Sequence, residues 1–145
     1  MNQLHSFLKR ISLFGIAAAL SLTSIAAQAQ QPSKQQIVTP DAQALERVKA
    51  GKAYLVDVRT PEEFSAGHLQ HATNIDYNAP AFSTKLAKLD KTKPVYLYCR
   101  SGNRSGKSTD ALKTLGFQEY YNIGGFEKLK EQGFPAEQAS AAIKK

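Results

Sequence analysis

A single cysteine, a single methionine and no tryptophan occur among the 145 residues. With Cys99 alone, no disulfide can form within the chain. A core stapled by such bonds is therefore excluded, and the lone thiol is left for reactivity or for pairing between chains. Histidine is almost as scarce, with three residues, and no His/Cys cluster has the spacing of metal ligands, so no metal is expected. Acidic side chains are outnumbered, 12 against 19 basic ones, for a net charge of +7. The lysines are scattered and no basic run is interleaved with aromatics, which argues against a nucleic-acid partner and suits small anionic substrates or an anionic surface. The apolar run from Ile11 to Ile25 is too short, and too rich in Ser, Thr and Gly, to span a membrane comfortably. No internal repeat is visible.

That apolar run has another explanation. Lys9 and Arg10 precede it, and Ala27-Gln28-Ala29 follows it with the small-x-small pattern of a signal peptidase site. Residues 1–29 are predicted to be a secretory signal peptide, which implies a periplasmic or secreted protein with no membrane span after cleavage. Removing Lys9 and Arg10 leaves 17 basic against 12 acidic side chains and a net charge of +5. The remaining 116 residues suffice for one domain with its own core. Residues 30–36 read as a polar linker, 37–135 as the domain and 136–145 as a C-terminal tail.

Within the domain, short apolar strands alternate with helices. Ile37-Val38 is a brief strand candidate. Thr39-Pro40-Asp41 supplies a cap, a proline and an acid for a helix bearing Ala44, Leu45 and Val48 on one face. Tyr54 to Val56 is a buried-type strand. Thr60-Pro61-Glu62-Glu63 is a capping box whose short helix ends at Gly67. Ala72 to Ile75, Val95 to Tyr98 and Glu119 to Ile123 are further strands. Phe82, Leu86 and Leu89 recur at helical spacing, as do Ala111, Leu112 and Leu115 in a helix from Ser105 to Leu115. Gly124-Gly125 reads as a turn, and the tail as a terminal helix or a frayed end. Such alternation implies βαβ crossovers and a mostly parallel sheet covered on both faces. Ligands of these sheets bind at the carboxyl ends of the strands, which is where Cys99 and Asp57 fall.

Cys99 ends a strand and is followed by Arg100-Ser101-Gly102-Asn103-Arg104-Ser105 and then a helix. Unpaired N–H groups converge at such a junction. With the helix dipole and two arginines, they favour the thiolate and bring a cysteine pKa from about 8.5 into the range of roughly 3.5–7.5. A nucleotide P-loop needs a glycine where Ser101 stands, so the near-match through Gly106-Lys107-Ser108 fails. Cysteine phosphatases place five residues between nucleophile and arginine, whereas four separate Cys99 from Arg104. The tighter ring suits a single terminal sulfur better than a phosphoryl group. The Tyr96/Tyr98 pair sits at strand spacing and belongs to the core or its rim.

The stretch Cys99 to Arg104 resembles the six-residue active loop of rhodanese-type sulfurtransferases. Asp57-Val58-Arg59 with Glu63-Phe64-x-x-Gly67-His68-Leu69, then Ala72-x-Asn74-Ile75, is similar to another signature of that family. Gly116-Phe117 and Asn122-x-Gly124-Gly125-Phe126 resemble its closing segments. The similarity spans Ile37 to Pro135, or 99 of 145 residues. It departs from the common pattern after the Gly-Gly turn, where relatives carry tryptophan and this chain has Leu129.

The resemblance implies an α/β rhodanese-like fold with a central five-stranded, mainly parallel sheet and helices on both faces. It also implies a thiosulfate sulfurtransferase that needs no cofactor. Cys99 would take a sulfane sulfur from thiosulfate or a similar small anionic donor and pass it, as a persulfide, to cyanide or a thiol. Arg100, Ser101, Gly102, Asn103 and Arg104 would bind the substrate and the persulfide. Asp57 and Arg59 are expected to brace the loops, Glu63 to pair locally with Arg59, and His68 to make a structural hydrogen bond. A monomer is expected. A non-catalytic module that binds a partner or carries persulfide is the alternative reading, with a cysteine phosphatase or arsenate reductase behind it.

Overall fold

The computed structural model describes residues 37–138. The expected signal peptide, the linker and residues 139–145 of the tail lie outside the described residues. Four strands form one parallel sheet, in the order β3 (Thr73–Asn74), β1 (Tyr54–Asp57), β4 (Val95–Cys99) and β5 (Tyr120–Gly125). Five strands were expected. Among the described residues the fifth position is held by a single parallel bridge from Ile37 to Asn122, with the Val38 N–H donating to the Asn122 carbonyl at 2.8 Å.

The central strands are buried on both sides, and their side chains alternate between two cores. Leu55, Tyr96 and Tyr98 face one core with Ala44 and Val48 of α1 (Ala42–Lys49) and Phe126 and Leu129 of α5 (Phe126–Glu131). Val56, Leu97 and Cys99 face the other, with Phe82 and Leu86 of α3 (Phe82–Leu86) and Leu112 of α4 (Asn103–Thr114). A period of two along a doubly covered strand sends successive residues to opposite helical layers. Cys99 is therefore the last residue of a strand that cannot shift register without moving both cores. Among the described residues, no helix is long and apolar enough to cross a membrane.

Several element ends differ from the expectation, each for a local reason. α1 is capped by Asp41, whose Oδ1 accepts the Ala44 N–H at 2.7 Å, so Pro40 precedes the cap instead of opening the helix. α4 begins at Asn103, which brings Arg104 and Ser105 into its first turn. Gly124 and Gly125 continue β5 and are not a turn; an irregularity opposite Leu97/Tyr98 skips Ile123 and sets Gly125 beside Cys99. Ala136–Glu137 form β6, antiparallel to β2 (His68–Leu69), where a helical or frayed tail was expected.

α2 (Pro61–Ala66) has the capping box read from its sequence: the Glu63 N–H donates to Thr60 Oγ1 at 3.3 Å, and the Thr60 N–H to Glu63 Oε2 at 3.0 Å. Before it, at the end of β1, the buried Asp57 and Arg59 close on each other. Arg59 Nη2 reaches Asp57 Oδ2 at 2.6 Å, and the same nitrogen donates to the Gly67 carbonyl at 2.6 Å. The guanidinium also lies 4.2 Å from the centroid of the Phe126 ring. Burial pushes the Arg59 guanidinium down, and the bonds to Asp57 more than reverse that, so the ion stays charged. Removing one partner of a buried pair strands the other. Asp57→Ala is therefore expected to lower stability by about 3–5 kcal/mol, read as an early unfolding midpoint in denaturant with Cys99 chemistry retained in the folded fraction.

Candidate active site

β4 carries Cys99 to the carboxyl edge of the sheet, with Gly125 of β5 as its register partner. The residue is 1% exposed. The chain turns at once, and the Gly102 N–H donates to Sγ at 3.1 Å. Gly102 has φ of +94°, which favours glycine, and a Cβ there would also lie 2.9 Å from Ile37 Cδ1. Behind the turn, the buried Ser105 hydroxyl lies 3.5 Å from Sγ and donates to Asn122 Oδ1 at 2.7 Å. Asn122 Nδ2 donates to the Gly102 carbonyl at 3.0 Å, and Asn122 Oδ1 also accepts the Gly124 N–H at 3.1 Å. Burial pushes the Cys99 thiol up. Hydrogen bonds from the Ser105 amide and hydroxyl, and from the Ser101 and Gly102 amides, outweigh it, leaving the thiol below its ordinary value.

The loop is held on one side by close backbone contact. A Cβ on Gly125 would stand 2.6 Å from the Arg100 carbonyl oxygen and 3.2 Å from Ser101 Cα. On another side it is held by charge. Arg104 Nη1 and Nη2 bind Glu63 Oε2 and Oε1 at 2.7 and 2.9 Å. Arg59, expected as the partner of Glu63, is turned to Asp57 instead because its short spacing allows bidentate closure. Arg104 thus links the first turn of α4 to α2, and its charge also acts on the Cys99 sulfur. Those bonds, with the Thr60 amide, hold the Glu63 carboxyl down to about 2 despite partial burial.

Of the other residues singled out in the sequence, Arg100, Ser101 and Asn103 are exposed around the mouth of the loop. His68 is buried: Nδ1 is 3.0 Å from the Phe64 carbonyl, the ring stacks on Phe64, and Nε2 lies 3.4 Å from Glu137 Oε1. Ser105, Asn122 and Asn74 stand in the motifs read from the sequence but were given no role there, and Tyr98, expected in the core or its rim, is fully buried. Asn74 Nδ2 donates to the carbonyls of Asp57 and Arg59, and the Tyr98 hydroxyl accepts the Leu69 N–H at 3.0 Å. An asparagine inside an apolar strand, such as Asn122, goes against strand preference and was the available signal. Among the described residues, no three His, Cys, Asp or Glu side chains gather as a metal site would require.

Two outcomes test this geometry. Glu63 has a folded value below its unfolded one, so its contribution to stability is complete above about pH 4.5 and drains away as the pH falls toward 2. Glu63→Gln is expected to flatten the stability profile in that window, measured by denaturant melts at stepped pH. Gly125→Ala puts a methyl group into backbone that cannot rotate away. It should destabilise the fold by about 1–3 kcal/mol and slow alkylation of Cys99, and an unchanged alkylation rate would mean the loop tolerates displacement.

Comparison with known proteins agrees with this arrangement. Residues 41–132 match the family described as the Rhodanese-like domain. The thiosulfate sulfurtransferase GlpE of Pseudomonas putida is 36% identical over 100 residues, covering 69% of this chain and 89% of that protein. The uncharacterized protein YqhL of Bacillus subtilis is 42% identical over 86 residues, covering 57% of this chain and 67% of that protein. A solved structure described as rhodanese with anions from E. coli superposes with a TM-score of 0.51 at 30% identity, covering 60% of this chain and 99% of that one. With the family match spanning more than half the chain and a parallel α/β sheet presenting a cysteine at the end of its central strand, this protein belongs to the rhodanese-like domain family.

Proposed function

We propose that this chain is a sulfurtransferase that moves a sulfane sulfur from thiosulfate, or a donor of the same chemistry, through a persulfide on Cys99. The observation that carries the proposal is a buried sulfur facing the Gly102 N–H at 3.1 Å in a loop whose amides favour negative charge. The similarity to a protein named thiosulfate sulfurtransferase supports it.

The thiolate of Cys99 attacks the outer sulfur of thiosulfate. The new bond joins Sγ to that sulfur while the sulfur–sulfur bond of the donor breaks, and sulfite leaves with the bonding electron pair. Sγ loses its charge in forming the new bond, the departing sulfite gains one, and the outer persulfide sulfur keeps the negative charge it carried in the donor. The loop amides then hold that charge as an oxyanion hole holds oxygen, where the loss of one donor is worth about 3–4 kcal/mol. Cyanide or a thiolate takes the outer sulfur in the second half, and Sγ departs as the thiolate again. Arg100, exposed at the mouth, attracts the anionic donor. Arg104, with two of its nitrogens on Glu63, supplies background positive charge and holds the loop. The basic, small-x-small N-terminus supports export, and a reaction outside the cytoplasm is part of this proposal.

Intact mass spectrometry with and without thiosulfate is the direct test. The wild-type protein should gain the mass of one sulfur atom and lose it on adding cyanide, with sulfite and thiocyanate as products. Cys99→Ala should show neither adduct nor turnover and keep its circular dichroism. An adduct without turnover would favour the persulfide-carrier reading, and turnover in Cys99→Ala would remove Cys99 as nucleophile.

A further inference from the structure

We propose that the Ser105 hydroxyl is a rotating donor: it joins the Gly102 amide on Sγ while Sγ is charged, and turns back to Asn122 while the charge is on the outer sulfur. The proposal builds on sulfur transfer by Cys99 and adds to it a catalytic residue with its own step.

Ser105 has one hydroxyl proton and two acceptors within reach, Asn122 Oδ1 at 2.7 Å and Cys99 Sγ at 3.5 Å. Both acceptors are buried, as is Ser105, so no water competes for the proton. While sulfur carries its own hydrogen or a second sulfur, Sγ is a poor acceptor and the proton belongs on Asn122. When Sγ is a thiolate, it becomes the stronger acceptor and the hydroxyl can turn to it. Asn122 makes this turn inexpensive: its Oδ1 keeps the Gly124 N–H at 3.1 Å, so the oxygen is never left without a donor. Its Nδ2 stays on the Gly102 carbonyl at 3.0 Å throughout, so the loop is not disturbed.

Sγ is negative twice in each cycle, first as the attacking nucleophile and last as the leaving group from the persulfide. In between, the charge sits on the outer sulfur and the hydroxyl returns to Asn122. No proton is transferred by Ser105; it only redirects a hydrogen bond, and no atom or electron enters the balance. The charged groups around the sulfur are Arg104 at the start of α4, Glu63 of α2 behind it and exposed Arg100 in the loop. Asp57 of β1 is closed on Arg59. None of these changes partner when the hydroxyl turns.

The test is the pH profile of Cys99 alkylation by iodoacetamide in the full chain, which needs no sulfur-transfer activity. Ser105→Ala removes the hydroxyl, keeps the amide and suits a helix. Its midpoint should rise by roughly 1–2 pH units, as expected for losing one hydrogen bond to an ion. Ser105→Thr, which retains a hydroxyl, should move the midpoint back toward wild type. In turnover the Ala variant should lose kcat with little change in KM for thiosulfate, since Ser105 touches Sγ and not the donor. An unchanged midpoint in Ser105→Ala would overturn the proposal, as would a Thr midpoint equal to that of Ala in a protein with wild-type circular dichroism. Failure of sulfur transfer in the wild type would leave the alkylation profile standing, so the two ideas fail separately.

Discussion

Asn122 joins pieces of backbone that sequence distance keeps apart. Its side chain bonds the Gly102 carbonyl, the Ser105 hydroxyl and the Gly124 N–H, and its own carbonyl accepts from Val38. At 3% exposure there is no water to take over these bonds. Breaking the one to the Gly102 carbonyl would leave buried polar groups unpaired, at about 1–3 kcal/mol. The bend around Cys99 keeps its winding because this one residue ties β5, the start of α4 and the incoming chain together. Arg100, Ser101 and Asn103 form the exposed part of the loop, with the backbone of Arg100 and Ser101 resting close against Gly125.

A buried sulfur would ordinarily hold its proton, since removal from water disfavours the charged form. Here burial is the largest single influence on Cys99 and is nonetheless outweighed by several hydrogen bonds acting together. The same low-polarity surroundings that oppose charge make each bond stronger. The site therefore combines exclusion of water with a stabilised thiolate, which an exposed cysteine beside an arginine could not do. Around it, ion pairs divide between two tasks. Asp57 and Arg59 are deeply buried and hold the end of β1 against Gly67 and Phe126. Glu63 and Arg104 are partly exposed and position one helix terminus against another.

Features set by neighbours in the chain were legible from the letters alone. The Thr60–Glu63 capping box is complete within four positions, and it forms as read. The strand ending in Cys99 announces itself through Val95 to Tyr98, and the shortness of the loop through the place of Arg104. The α1 cap was misplaced by two residues because Thr39 and Asp41 are both good caps and only the packed chain selects one. The Gly-Gly pair read as a turn because glycine is common there. In the fold it is the place where β5 passes so near Arg100 and Ser101 that a side chain would not fit.

What the sequence determined by itself was the alternation of strands and helices, the family to which the chain belongs and the position of its one thiol at the end of a strand. These rest on local periodicity and on residues adjacent in the chain. The partners of that sulfur and of its arginine were decided only by tertiary structure. Glu63 lies 41 positions from Arg104 and Asn122 lies 17 from Ser105; no local rule links either pair. Hydrogen bonds and ion pairs depend on distance in space, and it is the closing of a doubly covered sheet that turns those sequence separations into contacts of a few ångströms.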